Sequence, residues 1–581
     1  MIQPFVHFWR HLILAAAVLA GGGPSWPAAA DESPSSKLAT PTPEQVAWHD
    51  LEIGMFIHFG METYQDTETD DFSTPLSQFN PEQLDTDQWV RVAESMHAKY
   101  IILVAKHVGG FCLWQTDSSD YSVGHTPWRG GKGDVLADLT QSCRKRGMLW
   151  GVYVYPGDLY HGSPVSSGGK TDDPEKQAQY KKIFRQQLTE VYSQYGTPME
   201  VWFDGSVRKD IVDLTDILQE HVPRAMVFNS PWATIRWVGN EDGITPYPAW
   251  SSVSREAALS GVSETKDSDP EGATWLPIEA DARLRAGWFW SSTGEDTIKS
   301  VDKLMEMYYQ SVGHGAVLLL NVTPDTTGQI PEADARRAAE FGAEITHRFG
   351  VWIARTSGRG PVVELALDGP TVIDHVITME DIRHGERVRK YVVEGLVNDQ
   401  WQPLASGTLI GHKKIDRFEP LEVSQVRLRA TESAATPIIR ELAVYNTQAS
   451  VKIASASQRV PAESDSAWTT VATWDADQYP DGSAIITADL MGVVDEARQY
   501  ELRVRPSDDA QVTVSSVQLL LQSNRLPAAF VKRLETPHAF NLNITATPVE
   551  QEKWCTVEVT VTSDSLSRTA GEILVRKRPL N

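Results

Sequence analysis

The chain has 581 residues, too many for one hydrophobic core, so about two to four domains are expected. Its 53 Lys and Arg against 77 Asp and Glu leave a formal net charge of −24, which argues against nucleic acid or an anionic membrane as partner and favours a neutral substrate. Hydrophobic content of 41% is ordinary for a globular protein, but 19 Trp are many and lean towards carbohydrate, whose C–H faces stack on aromatic rings.

Residues 1–30 read as a signal peptide. Arg10 and His11 precede the apolar run Leu12 to Ala20, which is too short to span a bilayer, and Ala28-Ala29-Ala30 offers a cleavage site. Export to the periplasm or the extracellular space is therefore expected, with no membrane insertion of the mature chain. Residues 31–43 are rich in Pro, Ser and Thr and read as a disordered leader.

From residue 44 to 350 short apolar runs alternate with helical patterns. Gly54 to Phe59, Tyr100 to Val104, Leu149 to Tyr155, Ala225 to Phe228 and Ala316 to Asn321 read as buried strands. Asp134 opens a helix that Gly147 stops, a long polar helix follows Asp173, and Val301, Leu304, Met305 and Tyr308 keep helical spacing. Continuous apolar strands separated by helices indicate a parallel sheet covered on both faces. About eight such units predict a TIM-like (β/α)8 barrel.

After Phe349 strands follow one another without helices, as in Val362 to Leu367 and Val426 to Arg429, which predicts an antiparallel β-sandwich over 351–447. Alternation such as Val557 to Thr562 predicts a second β-sandwich over 448–581, of unassigned role. Cys112, Cys143 and Cys555 are too few and too far apart for a disulfide framework, and neither they nor the His residues keep a metal-ligand spacing, so no cofactor is implied.

The stretch Trp202-Phe203-Asp204-Gly205 reads as a strand that delivers a carboxylate at its C-terminal tip, where such barrels place catalytic groups. The competing reading of Asp204 is an N-cap for a helix starting near Ser206. His58, His107, Tyr153 and Trp288 also fall at or near strand tips, and several polar groups at one barrel end point to a binding site.

These segments resemble glycoside hydrolase family 29, the retaining α-L-fucosidases, and most closely its branch acting on α-1,3/1,4-linked fucose. The resemblance rests on Gly54 to Gly60, Lys106 to Trp114, Trp128 to Val135, Trp202 to Gly205, Arg236 to Gly243, Trp275 to Asp281, Arg283 to Trp290 and Ser311 to Pro324. It continues into the first sandwich at Glu380 to Val388 and Ile410 to Ile415, so it covers about residues 44–447. It implies Asp204 as nucleophile and Glu241 as acid/base, with Glu279 as the alternative acid/base. It further implies that His58, His107, Trp114, Tyr153, Trp202, Arg236, Glu279 and Trp288 surround the sugar, and that the substrate is a fucosylated oligosaccharide or polysaccharide. Two other readings remain open at this point: the same chemistry on a related sugar such as an α-L-galactoside, and a non-catalytic carbohydrate-binding protein.

One departure from the family pattern stands out. The family has His-His-Asp-Gly after the lysine, whereas this chain has His107-Val108-Gly109-Gly110. The loss of a ring-hydroxyl donor and a carboxylate predicts a weaker hold on the sugar ring and a vacated space beside it.

Overall fold

The computed structural model describes residues 38–448 and, beyond them, strands lying between Thr469 and Lys577. The expected signal peptide lies outside the described residues. Residues 38–43, expected in the disordered leader, are ordered. Thr42 caps helix α1 (Pro43–His49) through a capping box with Gln45, and Ala39 is buried against Trp275 and Ile382.

Eight parallel strands follow: β1 (Ile53–Ile57), β2 (Tyr100–Lys106), β3 (Leu149–Val154), β4 (Glu200–Trp202), β5 (Met226–Phe228), β6 (Arg236–Trp237), β7 (Ile278–Arg283) and β8 (Val317–Asn321). They pair in the order β5-β4-β3-β2-β1-β8-β7-β6, and a parallel bridge from Phe228 to Ile235 joins the two ends into a barrel. Helices α2 (Met61–Gln65), α3 (Thr86–Ser95), α4 (Val135–Arg146), α5 (Pro174–Gln194), α6 (Thr215–His221), α7 (Arg255–Leu259), α8 (Val301–Gln310) and α9 (Glu332–Phe349) fill the connections and the segment after β8.

Alternation along the strands divides the core into two layers. On β2, Ile101, Leu103 and Ala105 face the helices, while Tyr100, Ile102 and Val104 fill the barrel. On β8, Leu318 and Leu320 point outwards while Val317 and Leu319 point in. Both faces are buried, which is why these strands are apolar throughout. The local helix signals act as expected. Asp134 caps α4 by accepting from the Ala137 amide at 2.8 Å, and Gly147 ends it in the left-handed region at φ 71°.

The first β-sandwich is built from β9 (Ala354–Arg359), β10 (Val362–Glu380), β11 (Val388–Val397), β12 (Gln400–Gly407), β13 (Lys414–Ser433) and β14 (Ile438–Tyr445). Pairing is antiparallel throughout, in the order β9-β14-β10-β13-β11-β12. Register breaks in β10 between Ala366 and His375 bend the long strands, so both ends of the sheet close on one core that includes Val393, Val426 and Leu442. The opposite face joins the barrel: Ile377, Met379, Ile415, Ala443 and Tyr445 belong to the same apolar cluster as the barrel helices. Bidentate Arg417–Glu306 contacts of 2.7 Å and Glu386 accepting from the Ser251 amide at 3.0 Å fasten this seam. Further along the chain a five-stranded and a four-stranded antiparallel sheet form the second sandwich.

Candidate active site

The C-terminal ends of the barrel strands surround a cavity of about 220 Å³. His58 follows β1, His107 follows β2, Tyr153 lies in β3, Asp204 follows β4, and Phe228 and Asn229 end β5. Trp237 of β6, Glu241 beyond it, Asp281 of β7 and Trp288 beyond β7 complete the far wall, with Phe56, Trp202, Val262 and Glu264.

Asp204 is not a helix cap. The chain after it turns through Gly205 and Ser206 at φ 67° and 64°, and the next helix starts only at Thr215. The carboxylate is therefore free to face the cavity, and Tyr153 donates its hydroxyl to Oδ2 at 3.1 Å. Trp202 lies flat against Phe228, with centroids 3.6 Å apart and planes 6° apart, and stacks on Tyr153 at 5.5 Å. The result is a rigid aromatic base beside the acid.

Glu241 is held from the other side. Its Oε2 accepts from the Trp288 indole at 3.1 Å and lies 3.4 Å from Arg283, whose guanidinium rests 5.2 Å over the Trp288 ring. The Glu241 side chain stays 45% exposed, so a group at the cavity mouth can reach it.

The two histidines are set by neighbours that sequence alone did not connect. Asn321 donates its amide to the Trp288 carbonyl at 2.7 Å, which turns Oδ1 towards His58 Nδ1 at 2.9 Å. His58 therefore carries its proton on Nδ1 and leaves Nε2 as an acceptor for a hydroxyl. Burial, reinforced by the charge of His107, holds its pKa well below the usual value, so it is neutral. Glu62 supports His107 through a 3.2 Å contact to Nδ1.

Burial pushes the Asp204 carboxyl up from 3.8, while His107, the Tyr153 hydroxyl and the Gly205 amide favour the charged form. An aspartate that must be ionised to react loses activity as the pH falls through its raised pKa. Tyr153→Phe removes one of the groups that favour the ion, so the acid limb of kcat/KM is expected to move to higher pH, with the alkaline limb unchanged. A pH–rate profile measures this, and a limb that stays in place would detach the limb from Asp204.

Three residues expected around the sugar do not line the cavity. The first is Trp114, which is buried between sheet and helices, where its indole donates to Glu190 of α5 at 3.0 Å. The second, Arg236, points out of the barrel and donates to Ser268 Oγ at 2.9 Å and to the Trp250 carbonyl. Successive strand residues face opposite sides, so it is the next residue, Trp237, that faces in. The third is Glu279, the alternative acid/base. It lies two residues before Asp281 on β7, roughly 6.6 Å deeper along the strand, and is fully buried.

Glu279 has a structural task there. It accepts from Tyr100 at 2.7 Å and from the Trp202 indole at 2.7 Å, and it is hydrogen-bonded to Glu200, which also accepts from Trp48 at 2.9 Å. Two facing carboxyls require a shared proton. Burial and the Glu279 charge push Glu200 well above the ordinary carboxylate range, so Glu200 keeps that proton. Glu279→Ala strands the Tyr100 and Trp202 donors and is expected to destabilise the fold by about 2–6 kcal/mol. A urea midpoint unchanged in Glu279→Ala would contradict that task.

Asp281, Trp237, Asn229 and Glu264 line the cavity and were not anticipated. The signal for Asp281 was present, because Glu279 and Asp281 share parity on one strand. The Trp237 indole donates to Asp281 at 2.7 Å, and burial together with the charges of Glu241, Glu279 and Asp204 pushes Asp281 well above its usual value. The space beside His107 is not vacated. A Cβ on Gly109 would lie 2.5 Å from Asp70 Cβ and 2.9 Å from its Oδ2, so a carboxylate from the β1–α3 connection already occupies it.

The model for the family described as alpha-L-fucosidase matches residues 28–347. The chain belongs to the alpha-L-fucosidase family. It is a glycoside hydrolase. Among its relatives, alpha-L-fucosidase 1 of Arabidopsis thaliana is 30% identical over 459 residues, 71% of this chain and 88% of that protein. A Ruminococcus gnavus GH29 fucosidase solved in complex with fucose is 25% identical with a TM-score of 0.63, over 72% of this chain and 96% of its own. A glycoside hydrolase 29 family member from an unknown rumen bacterium is 26% identical with a TM-score of 0.63, over 93% of this chain and 100% of its own.

Proposed function

We propose that this fucosidase-family hydrolase is an exported, retaining exo-α-L-fucosidase that releases terminal α-L-fucose, α-1,3/1,4-linked, from glycans. The observation that carries the reading is the pairing of Asp204 and Glu241 across one cavity, each tethered by its own neighbours. Asp204 attacks the anomeric carbon as Glu241 protonates the departing glycosidic oxygen. Glu241 then takes a proton from water, which displaces Asp204 and restores the original anomeric configuration.

The cavity, at about 220 Å³, is smaller than the roughly 300–1,000 Å³ of pockets for drug-sized ligands, which suits one terminal sugar residue. Asp204, Glu241, Glu264 and Asp281 give it an acidic wall, which disfavours an acidic sugar. Phe56, Trp202, Phe228 and Trp288 give an apolar wall suited to the methyl group of a 6-deoxy sugar, where a hydroxyl would be buried without a partner. The linkage assignment follows the Arg236 to Gly243 motif that carries Glu241, and export follows the sequence of residues 1–30.

Proton NMR of the first product tests the chemistry, across a panel of α-L-fucosides and α-L-galactosides. α-L-Fucose formed first, with α-L-galactosides poor, is the expected result. β-L-Fucose formed first would overturn retention, and preferred α-L-galactoside cleavage would overturn the sugar assignment.

A further inference from the structure

In the loops after β1, β2 and β3, on the catalytic side of the barrel, three aromatic rings are built around the Val108–Gly109 departure. Tyr121 is buried, with Phe72 tilted against it at a centroid distance of 5.6 Å and Tyr160 stacked on it at 4.9 Å and 12°. Phe72 and Tyr160 are 45% and 46% exposed. No other Phe, Tyr or Trp among the described residues of the barrel is as exposed. That both lie in one cluster on the catalytic side sets them apart from scattered surface hydrophobes.

Asp70 organises the cluster. Its carboxylate is buried in the slot left by the missing Gly109 side chain, accepts from the Tyr121 hydroxyl, and accepts from the Phe72 amide at 2.9 Å and the Gln65 side chain at 2.7 Å. A larger residue at 109 would collide with Asp70 and displace the loop that carries Phe72. Tyr160 is tied to the same turn, because its amide donates to the Gly109 carbonyl at 3.3 Å and the Leu159 amide donates to Val108 at 2.8 Å. Gly109 is two residues from His107, which lines the cavity, a separation of at most about 7 Å along the chain.

We propose that Phe72 and Tyr160, fixed by Tyr121 and Asp70, form a stacking ledge for a second pyranose of the glycan, outside the cavity that takes the terminal sugar. This rests on the fucosidase reading above. The cavity is too small for more than one residue, so the remainder of an oligosaccharide must lie on the surrounding surface. An aromatic face held by a buried carboxylate offers apolar contact with little ordering cost. The Val108–Gly109 turn thus links His107 of the cavity to a surface that reads the neighbouring sugar.

The test compares Phe72→Ala, Tyr160→Ala and Tyr160→Phe on an aryl α-L-fucoside and on an α-1,3/1,4-fucosylated oligosaccharide. The alanine variants are expected to raise KM for the oligosaccharide by roughly tenfold, or about 1.4 kcal/mol, with kcat retained. The aryl substrate should respond little, and Tyr160→Phe should behave as the wild type. Equal losses on both substrates, or no loss on either, would overturn the ledge. Failure of the wild-type protein to cleave either fucoside would remove the fucosidase reading itself, and the ledge with it.

Discussion

Asp204→Gly is expected to lower kcat on the order of 10⁶-fold, the scale seen when a covalent nucleophile is removed from a cooperating set. Asp281, another acid of the cavity wall, is tied to Trp237 and held towards its protonated form. Azide should enter the space left by the carboxylate and attack from the same side, giving β-L-fucosyl azide and restoring part of the rate. The fold should persist, because burial disfavours the charged Asp204 side chain that is lost. Kinetics with and without azide, beside a thermal melt, measure all three. A variant with near wild-type turnover would remove Asp204 from the reaction.

Glu241→Ala is expected to show a different pattern. Fucosides of ordinary sugar alcohols need the leaving oxygen protonated, so their rates should fall by about 10²–10⁴-fold, while activated aryl fucosides with acidic leaving groups lose far less. A plot of log(kcat/KM) against leaving-group pKa should be much steeper than that of the wild type. Glu279, buried beneath Trp202, is expected to show no such dependence in Glu279→Gln, which keeps its one acceptor for the Trp202 indole while the Tyr100 hydroxyl turns to accept from the amide. A steep plot for Glu279→Gln and a flat one for Glu241→Ala would reverse the assignment.

The barrel and the antiparallel sheets were legible because their signals are local. Tyr100 to Val104 is apolar on both faces, Asp134 and Gly147 bracket α4, and Val557 to Thr562 alternates strictly. The site was legible to the extent that it sits at strand tips. Two expected residues lie off the cavity through strand parity and depth: Arg236 faces out where its neighbour Trp237 lines the cavity, and Glu279 lies deeper on the strand than Asp281, which lines it. Trp114 lies off the cavity for another reason, since the segment after β2 folds back over the outside of the barrel onto α5. What no local pattern carried was contact between distant loops. That Asn321 orients His58, that Glu62 supports His107, and that Asp70 fills the gap at Gly109 all depend on segments brought together only by the closed barrel.

The seam between barrel and first sandwich has a consequence for how such chains can diverge. Ile377, Met379, Ile415, Ala443 and Tyr445 are not a patch laid on a finished barrel but part of the same apolar cluster as its helices. A substitution on either side therefore changes the packing of the other, and the two halves must drift together in sequence. Recombination that pairs this barrel with the sandwich of a distant relative would bring together surfaces that never adapted to each other. The smallest piece expected to keep this core whole is the barrel with its first sandwich.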